Sequence, residues 1–160
     1  MRLRLLLTAA LGLALVFAPS PAAADTQFEA NLSAAQEFPP NASPASGTGT
    51  FSLNVAETQL TIFVTFSGLL APQTAAHIHG AAPPGMNAGV IFPLPIGSPV
   101  NAVWAIPLAR VADLKNGLLY VNVHSQAFPG GEIRGQIVAS VPVKPSSWGR
   151  LKALYTSNTP

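Results

Sequence analysis

Apolar and polar side chains alternate over much of this chain, a pattern typical of β-strands that bury one face. The stretch "TFSLNV" places Phe51, Leu53 and Val55 on one face, and "QLTIFVTF" alternates in the same way. The polar "AETQ" between the two runs predicts a turn. Residues 47–67 are therefore predicted to form a β-hairpin.

The clearest pair of strands comes late in the chain, in "GLLYVNVHS" and "GEIRGQIVAS", which are separated by the turn signal "FPGG". Alternation in the first strand predicts two faces. One face carries Leu119, Val121 and Val123, and the other carries Tyr120, Asn122 and His124. The returning strand places Ile133 and Ile137 on a shared face.

Shorter segments complete a pattern in which the strands are brief and helical periodicity is almost absent. Strands are predicted at residues 26–32, at "AAHIHG" and at "NAVWAIPL", where Pro107 limits the strand to an edge or an end. Residues 35–47 read as a loop, and residues 111–117 as one helical turn that ends at Gly117. The predicted fold is all-β: an antiparallel Greek-key or immunoglobulin-like sandwich or barrel.

The N-terminus has the pattern of an export signal. Arg2 and Arg4 precede an apolar run over residues 5–18, and Ala22 and Ala24 flank a cleavage site of the A-x-A type. We expect cleavage after Ala24, and a secreted or periplasmic protein without a membrane span. The predicted organisation is a signal peptide at residues 1–24, a β-domain at residues 25–141 and a tail at residues 142–160 that contains a short helix.

Charge and cysteine content exclude several classes of function. The chain has 8 Lys and Arg against 6 Asp and Glu, and removal of the signal peptide leaves six of each. A neutral domain without a basic patch has no electrostatic support for nucleic-acid binding. The chain contains no cysteine, which excludes disulfides, thiol catalysis and thiolate metal sites.

Two of the three histidines lie one residue apart, in "HIHG". On a strand, His77 and His79 point the same way with their backbones about 6.7 Å apart, so their rings can converge on one metal ion. Neutral imidazoles favour Cu(II), Zn(II) or Ni(II) over Ca(II) or Mg(II). His124 is the remaining histidine and the candidate third ligand. The alternative is a structural role, in which the rings face solvent or bond a neighbouring carbonyl and no metal binds.

Four further residues are candidates to support such a site. Asn122 and Tyr120 share a strand face with His124. Glu132 and Arg134, in "GGEIRG", either anchor each other or lock their hairpin to the loop beside His79. The chain shows no arrangement of a serine, histidine and aspartate, no paired carboxylates and no phosphate-binding loop, so nothing in it requires an enzyme.

The blocks "HIHGAAPPGMNAGVIFPL" and "GLLYVNVHSQAFPGGEIRGQI" resemble the CHRD domain, a module of chordin and of many bacterial secreted proteins. The resemblance covers about residues 26–140. It implies an immunoglobulin-like barrel with a distant similarity to Cu/Zn superoxide dismutase, whose His-x-His strand binds copper. His77 and His79 match that pair, and His124 is the corresponding third ligand.

Two functional hypotheses follow. In the first, the protein is a non-catalytic binding or structural module with a protein or cell-surface partner. In the second, it binds copper, or else zinc, through His77, His79 and His124 for storage, transfer or redox chemistry. Dismutase activity is the least favoured, because the loop after His79 lacks the histidines and aspartate that a zinc subsite would need.

Overall fold

A nine-stranded antiparallel sheet accounts for most of residues 23–140, which are the residues that this computed structural model describes. The strands are β1 (Thr26–Ser33), β2 (Ser46–Leu53), β3 (Leu60–Ser67), β4 (Gln73–His79), β5 (Val90–Leu94), β6 (Val100–Trp104), β7 (Tyr120–Ser125), β8 (Ile133–Gln136) and β9 (Val138–Ala139). A 3-10 turn spans Ala34–Gln36, and one α-helix, α1, spans Leu108–Lys115. The order β5-β4-β7-β8-β1-β2-β3-β6, with β9 beside β1, curls into a nearly closed barrel because the edge strands β5 and β6 approach each other.

The predicted hairpin is confirmed as β2 and β3, which pair antiparallel with Phe51 opposite Ile62. Phe51, Leu53 and Ile62 are buried, as the alternation predicts. Val55 is not, because β2 ends at Leu53 and Val55 lies in the turn, where it is 55% exposed.

The predicted pair of late strands is also confirmed as β7 and β8. The strand β6 lies at an edge of the sheet and ends at Trp104, before Pro107. The helix is longer than the single turn expected. It begins at Leu108 because Pro107 takes the N-cap position with extended backbone, and Gly117, in a left-handed conformation at φ 68°, follows its end.

One strand was not anticipated. β5 contains Pro93, and Pro95 follows it directly, so the sequence reads as a loop. The strand can form because it lies at the edge of the sheet and pairs with β4 alone. An edge strand tolerates proline, which lacks the N–H group that a central strand needs to pair on both sides.

The strands β7 and β8 are covered on both faces, and together with β4 they position the site. Towards the barrel interior the three strands present apolar side chains, among them Ile78, Val121 and Ile133, which are fully buried. The opposite face is polar, and along β7 and β8 it is also buried, so that all six residues of β7 are buried. Its buried polar residues are His79, Asn122, His124, Arg134 and Gln136.

No helix within residues 23–140 is long and apolar enough to span a membrane. The predicted signal sequence up to residue 22 and the tail at residues 142–160 lie outside the described residues. Their roles stay predictions.

The strand β8 lies close to β1 at Gly135. A Cβ atom there would lie 2.8 Å from the carbonyl oxygen of Asn31 and 3.0 Å from its carbon, and the backbone cannot yield as a flexible side chain would. We therefore expect Gly135→Ala to lower the free energy of unfolding by about 1–3 kcal/mol, as overpacking does in other cores. Urea denaturation measures the change.

Gly89→Ala is the matched control, because a Cβ at Gly89 would meet no atom within 4 Å. Equal stability of Gly135→Ala and Gly89→Ala would contradict the close approach of β8 and β1.

Candidate metal centre

The pairing of β4 with β7 brings the three histidines together. In this antiparallel ladder His77 lies opposite Asn122 and Ala75 lies opposite His124, so that the His124 ring is diagonal to that of His77. One ligand nitrogen from each of His77, His79 and His124 lies within 4.8 Å of the others. The fold thus brings His124 close to the pair in "HIHG", and its role as a third ligand stays a prediction.

The rings are arranged around a shared space and not stacked on one another. The centroids of His77 and His124 are 5.0 Å apart and those of His77 and His79 are 5.6 Å apart, both in edge-to-face orientation. Nδ1 of His77 lies 3.2 Å from Nε2 of His124. This is hydrogen-bond distance, so in the metal-free protein one of the two nitrogens carries a proton and donates it in a hydrogen bond to the other.

Backbone carbonyls determine which nitrogen of His79 and of His124 carries the proton. Nδ1 of His79 lies 2.9 Å from the carbonyl oxygen of Ala88, and Nδ1 of His124 lies 3.0 Å from that of Pro129. A carbonyl oxygen only accepts hydrogen bonds, so both Nδ1 atoms must carry the proton and the neutral rings hold their lone pairs on Nε2. Metal-binding histidines commonly have this arrangement, with the second nitrogen held by a carbonyl.

Nε2 of His79 is buried and has no hydrogen-bond partner within residues 23–140. Buried nitrogen acceptors are rarely left unsatisfied, because desolvation without a partner costs about 1–3 kcal/mol. The lone pair of this atom is therefore available to a ligand that residues 23–140 do not supply.

The surroundings of His77 and His79 lower the pKa of both rings and so favour their neutral form, the form in which imidazole binds metals. Burial lowers the pKa of His77, and the neighbouring His124 lowers it further. Burial also lowers the pKa of His79, and this effect exceeds the raising effect of its bond to Ala88.

The Tyr120 ring stacks on the His79 ring, and the Arg134 guanidinium stacks on the Tyr120 ring. The rings of Tyr120 and His79 are nearly parallel, at 9°, with centroids 5.0 Å apart, and the Arg134 guanidinium carbon lies 3.5 Å from the centroid of Tyr120. The Tyr120 hydroxyl accepts from the amide of Ala88 at 3.0 Å and donates to its carbonyl oxygen at 3.3 Å. Tyr120 therefore holds the same carbonyl that orients His79.

Arg134 is fully buried and holds the loop at residues 80–89, which follows His79. Its guanidinium donates to the carbonyl oxygen of Met86 at 2.8 Å and to Oε1 of Gln136 at 3.0 Å. Of the two roles considered for Arg134, the structure places it against the loop beside His79 and shows no ion pair between Arg134 and Glu132 within the described residues.

Glu132 contacts different loops. Its Oε1 accepts hydrogen bonds from the Ser43 hydroxyl at 2.6 Å and from the Leu70 amide at 2.7 Å, and its side chain is fully buried. It therefore joins the segments that precede β2 and β4. Asn122, the remaining candidate, donates through Nδ2 to Oε2 of Glu37 at 3.4 Å.

Sequence reasoning missed the carbonyls of Ala88 and Pro129, and it missed Glu37. Every residue carries a carbonyl, so no residue pattern could have singled out those two. Glu37 lies in the loop "QEFPPN", where nothing distinguishes it from a solvated acid, yet the folded chain buries it to 6% exposure.

Comparison with known families places these features in context. A family model described as the CHRD domain matches residues 28–137, a span that includes all three histidines and Arg134. This chain belongs to the CHRD domain family. No curated protein and no solved structure matches it. The matched span ends just before β9, so the family assignment of this CHRD domain covers the barrel and its histidine cluster.

Replacing Glu132 tests its role in joining loops. We expect Glu132→Ala to lower the free energy of unfolding by about 1–3 kcal/mol, because the buried hydroxyl of Ser43 and the partly buried amide of Leu70 would lose their acceptor. Chemical denaturation measures the loss. Glu29→Ala, at an exposed position of β1, is the control, and a comparably small loss in both variants would show that Glu132 does not hold these loops.

Proposed function

We propose that this CHRD domain is a non-catalytic metal-binding module of an exported protein, and that it binds Cu(II) through His77, His79 and His124. The observation that carries the proposal is the buried Nε2 of His79, which lacks a partner within residues 23–140 and lies beside two further imidazoles. A bound ion would satisfy this nitrogen.

The composition of the cluster favours copper. Three imidazole nitrogens contribute, and no carboxylate joins them within residues 23–140. Nitrogen donor sets bind Cu(II) more tightly than the other divalent first-row metals, with Zn(II) the next candidate here. A bound Cu(II) ion would supply a centre for ligand exchange or for one-electron chemistry. His77 is only half-buried, so the side of the cluster that it forms is the one open to solvent.

The signal-like pattern of the N-terminal sequence supports a role outside the cytoplasm. We propose that residues 1–24 are removed as a signal peptide and that the domain acts in the periplasm or outside the cell. If the histidines bind no metal, the remaining function is recognition of a protein or cell-surface partner by a structural module.

Tyr120 and Arg134 are proposed to support the site through His79. Tyr120 bonds Ala88, whose carbonyl orients the His79 ring, and Arg134 bonds Met86 in the same loop. Asn122 and Glu132 contribute less directly, because their bonds reach Glu37 and the loops at Ser43 and Leu70.

Titration of the purified, metal-free protein with Cu(II) tests the proposal. We expect one site per chain by calorimetry and nitrogen hyperfine coupling in the electron paramagnetic resonance spectrum. His77→Ala, His79→Ala and His124→Ala should each abolish the site. At 100 times the dissociation constant, Cu(II) should raise the free energy of unfolding by about 2.7 kcal/mol in the wild type only.

Asn101→Ala, at an exposed position of β6, is the control and should bind as the wild type does. If the wild type binds Cu(II) no better than the three histidine variants, the cluster has a structural role. A parallel titration with Zn(II) decides between the two ions.

Tyr120→Phe tests the support of His79. The ring stack is retained, but both hydrogen bonds to Ala88 are lost, and we expect Cu(II) affinity to fall about 10-fold, in the range found for partners of metal ligands elsewhere. Competition with a chelator measures the affinity, and urea unfolding shows whether the domain stays folded. An unchanged affinity would mean that Tyr120 does not orient His79.

A further inference from the structure

Glu37 is a buried acid that the proposed metal site does not use. It follows the 3-10 turn at Ala34–Gln36 and is 6% exposed. It lines two clefts, of about 300 and 400 Å³, which it shares with Phe38 and Pro40. A carboxylate in such a position normally has a cation or several donors around it.

The hydrogen bonds of Glu37 are incomplete in a specific way. Its Oε2 accepts from Nδ2 of Asn122 at 3.4 Å, but its Oε1 is buried without a partner within residues 23–140. Oδ1 of Asn122 is likewise buried and unpartnered in that part of the chain. Two acceptors are therefore left over on side chains that already share one hydrogen bond.

Both of these oxygens lie close to Gly131. A Cβ atom built on Gly131 would lie 2.6 Å from Oδ1 of Asn122 and 2.8 Å from Oε1 of Glu37. Both oxygens therefore approach the same face of Gly131.

No nearby cation forms an ion pair with Glu37. Arg134 of β8 is the one charged residue besides Glu37 among those that line the two clefts, and its guanidinium donates to Met86 and Gln136. Asn122 of β7 is neutral, and residues 126–131 contain no ionisable side chain. Within the described residues, no ion pair involves Glu37.

We propose that Glu37 is held as the neutral acid and pairs with Asn122 through two hydrogen bonds, forming a pH-sensitive latch. Oε1 of Glu37 carries the proton and donates to Oδ1 of Asn122, while Nδ2 of Asn122 donates to Oε2 of Glu37. One proton thus satisfies both unpartnered oxygens. Loss of that proton leaves a carboxylate oxygen facing an amide oxygen, which weakens the pair.

The electrostatics of the site agree with this geometry. Burial raises the pKa of Glu37 from its ordinary value of 4.5 to about 7, against the opposing effects of Arg134 and of the bond from Asn122. The unfolded chain ionises near 4.5, so between these values the folded state binds more protons than the unfolded state. Stability from the latch is therefore complete below pH 4.5 and is lost as the pH rises through 7.

The latch joins the segment at residues 34–41 to β7, and its two side chains lie against Gly131 of the loop that orients His124. In the same segment, Nδ2 of Asn41 donates to the carbonyl oxygen of Glu132 at 3.1 Å, and Pro129, three residues earlier, bonds His124. Opening the latch is expected to loosen this loop. The inference does not depend on whether the histidines bind a metal.

Glu37→Gln tests the latch, because glutamine has the shape of the neutral acid and can make the same two hydrogen bonds at every pH. Urea unfolding of the metal-free protein is compared with that of the wild type from pH 5 to pH 8. We expect similar stability at pH 5. At pH 8 the unfolding constant of the variant should be the lower one, by up to roughly 300-fold, a factor of ten for each pKa unit between 4.5 and about 7.

Glu29→Gln, exposed on β1, is the matched control and should follow the wild type. If Glu37→Gln is less stable than the wild type across the whole range, Glu37 acts as a carboxylate and the proposal is wrong. A carbon-13 NMR titration of the Glu37 carboxyl in the wild type decides the matter if the variant does not fold. A midpoint near 7 supports the latch, and a midpoint near 4.5 overturns it.

Discussion

The burial of β7 on both faces is the constraint on which the rest of this structure depends. A strand covered on one side by an apolar core can turn polar side chains towards water, but β7 cannot, because loops cover its second face. Buried polar groups without partners are costly, so each one must find a donor, an acceptor or a ligand. The loops after β4, β7 and the 3-10 turn supply most of these partners through Ala88, Pro129 and Glu37.

The histidine cluster is a direct consequence of that arrangement. The carbonyl oxygens of Ala88 and Pro129 accept hydrogen bonds from Nδ1 of His79 and of His124. The lone pair of each of these rings is therefore on Nε2, which points away from the carbonyl. The loop that holds His79 is itself held by Tyr120 and Arg134. The geometry of three nitrogens thus depends on a network of loop contacts that reaches well beyond the ligands, as is common at metal sites.

This CHRD domain has few Asp, Glu, Lys and Arg side chains, and three of them are buried. Only 9% of the residues are charged, yet Glu37, Glu132 and Arg134 are all inaccessible. Arg134 and Glu132 each bond backbone groups of distant loops, so burial of their charge specifies loop positions more than it adds to stability. Glu37 differs, since it lacks such partners and its neutral form suits the site better.

The sequence by itself determined most of the strands and the shared orientation of His77 and His79, because alternation and the His-x-His spacing are local properties of a strand. It also identified His124 as the third histidine, since no other remained. Only the tertiary structure decided that β4 pairs with β7 in the register that brings His124 to the pair. It also decided that β5 forms despite Pro93 and that Glu37 is buried. Register and loop packing arise from contacts between residues far apart in the chain, and these leave no periodic pattern along it.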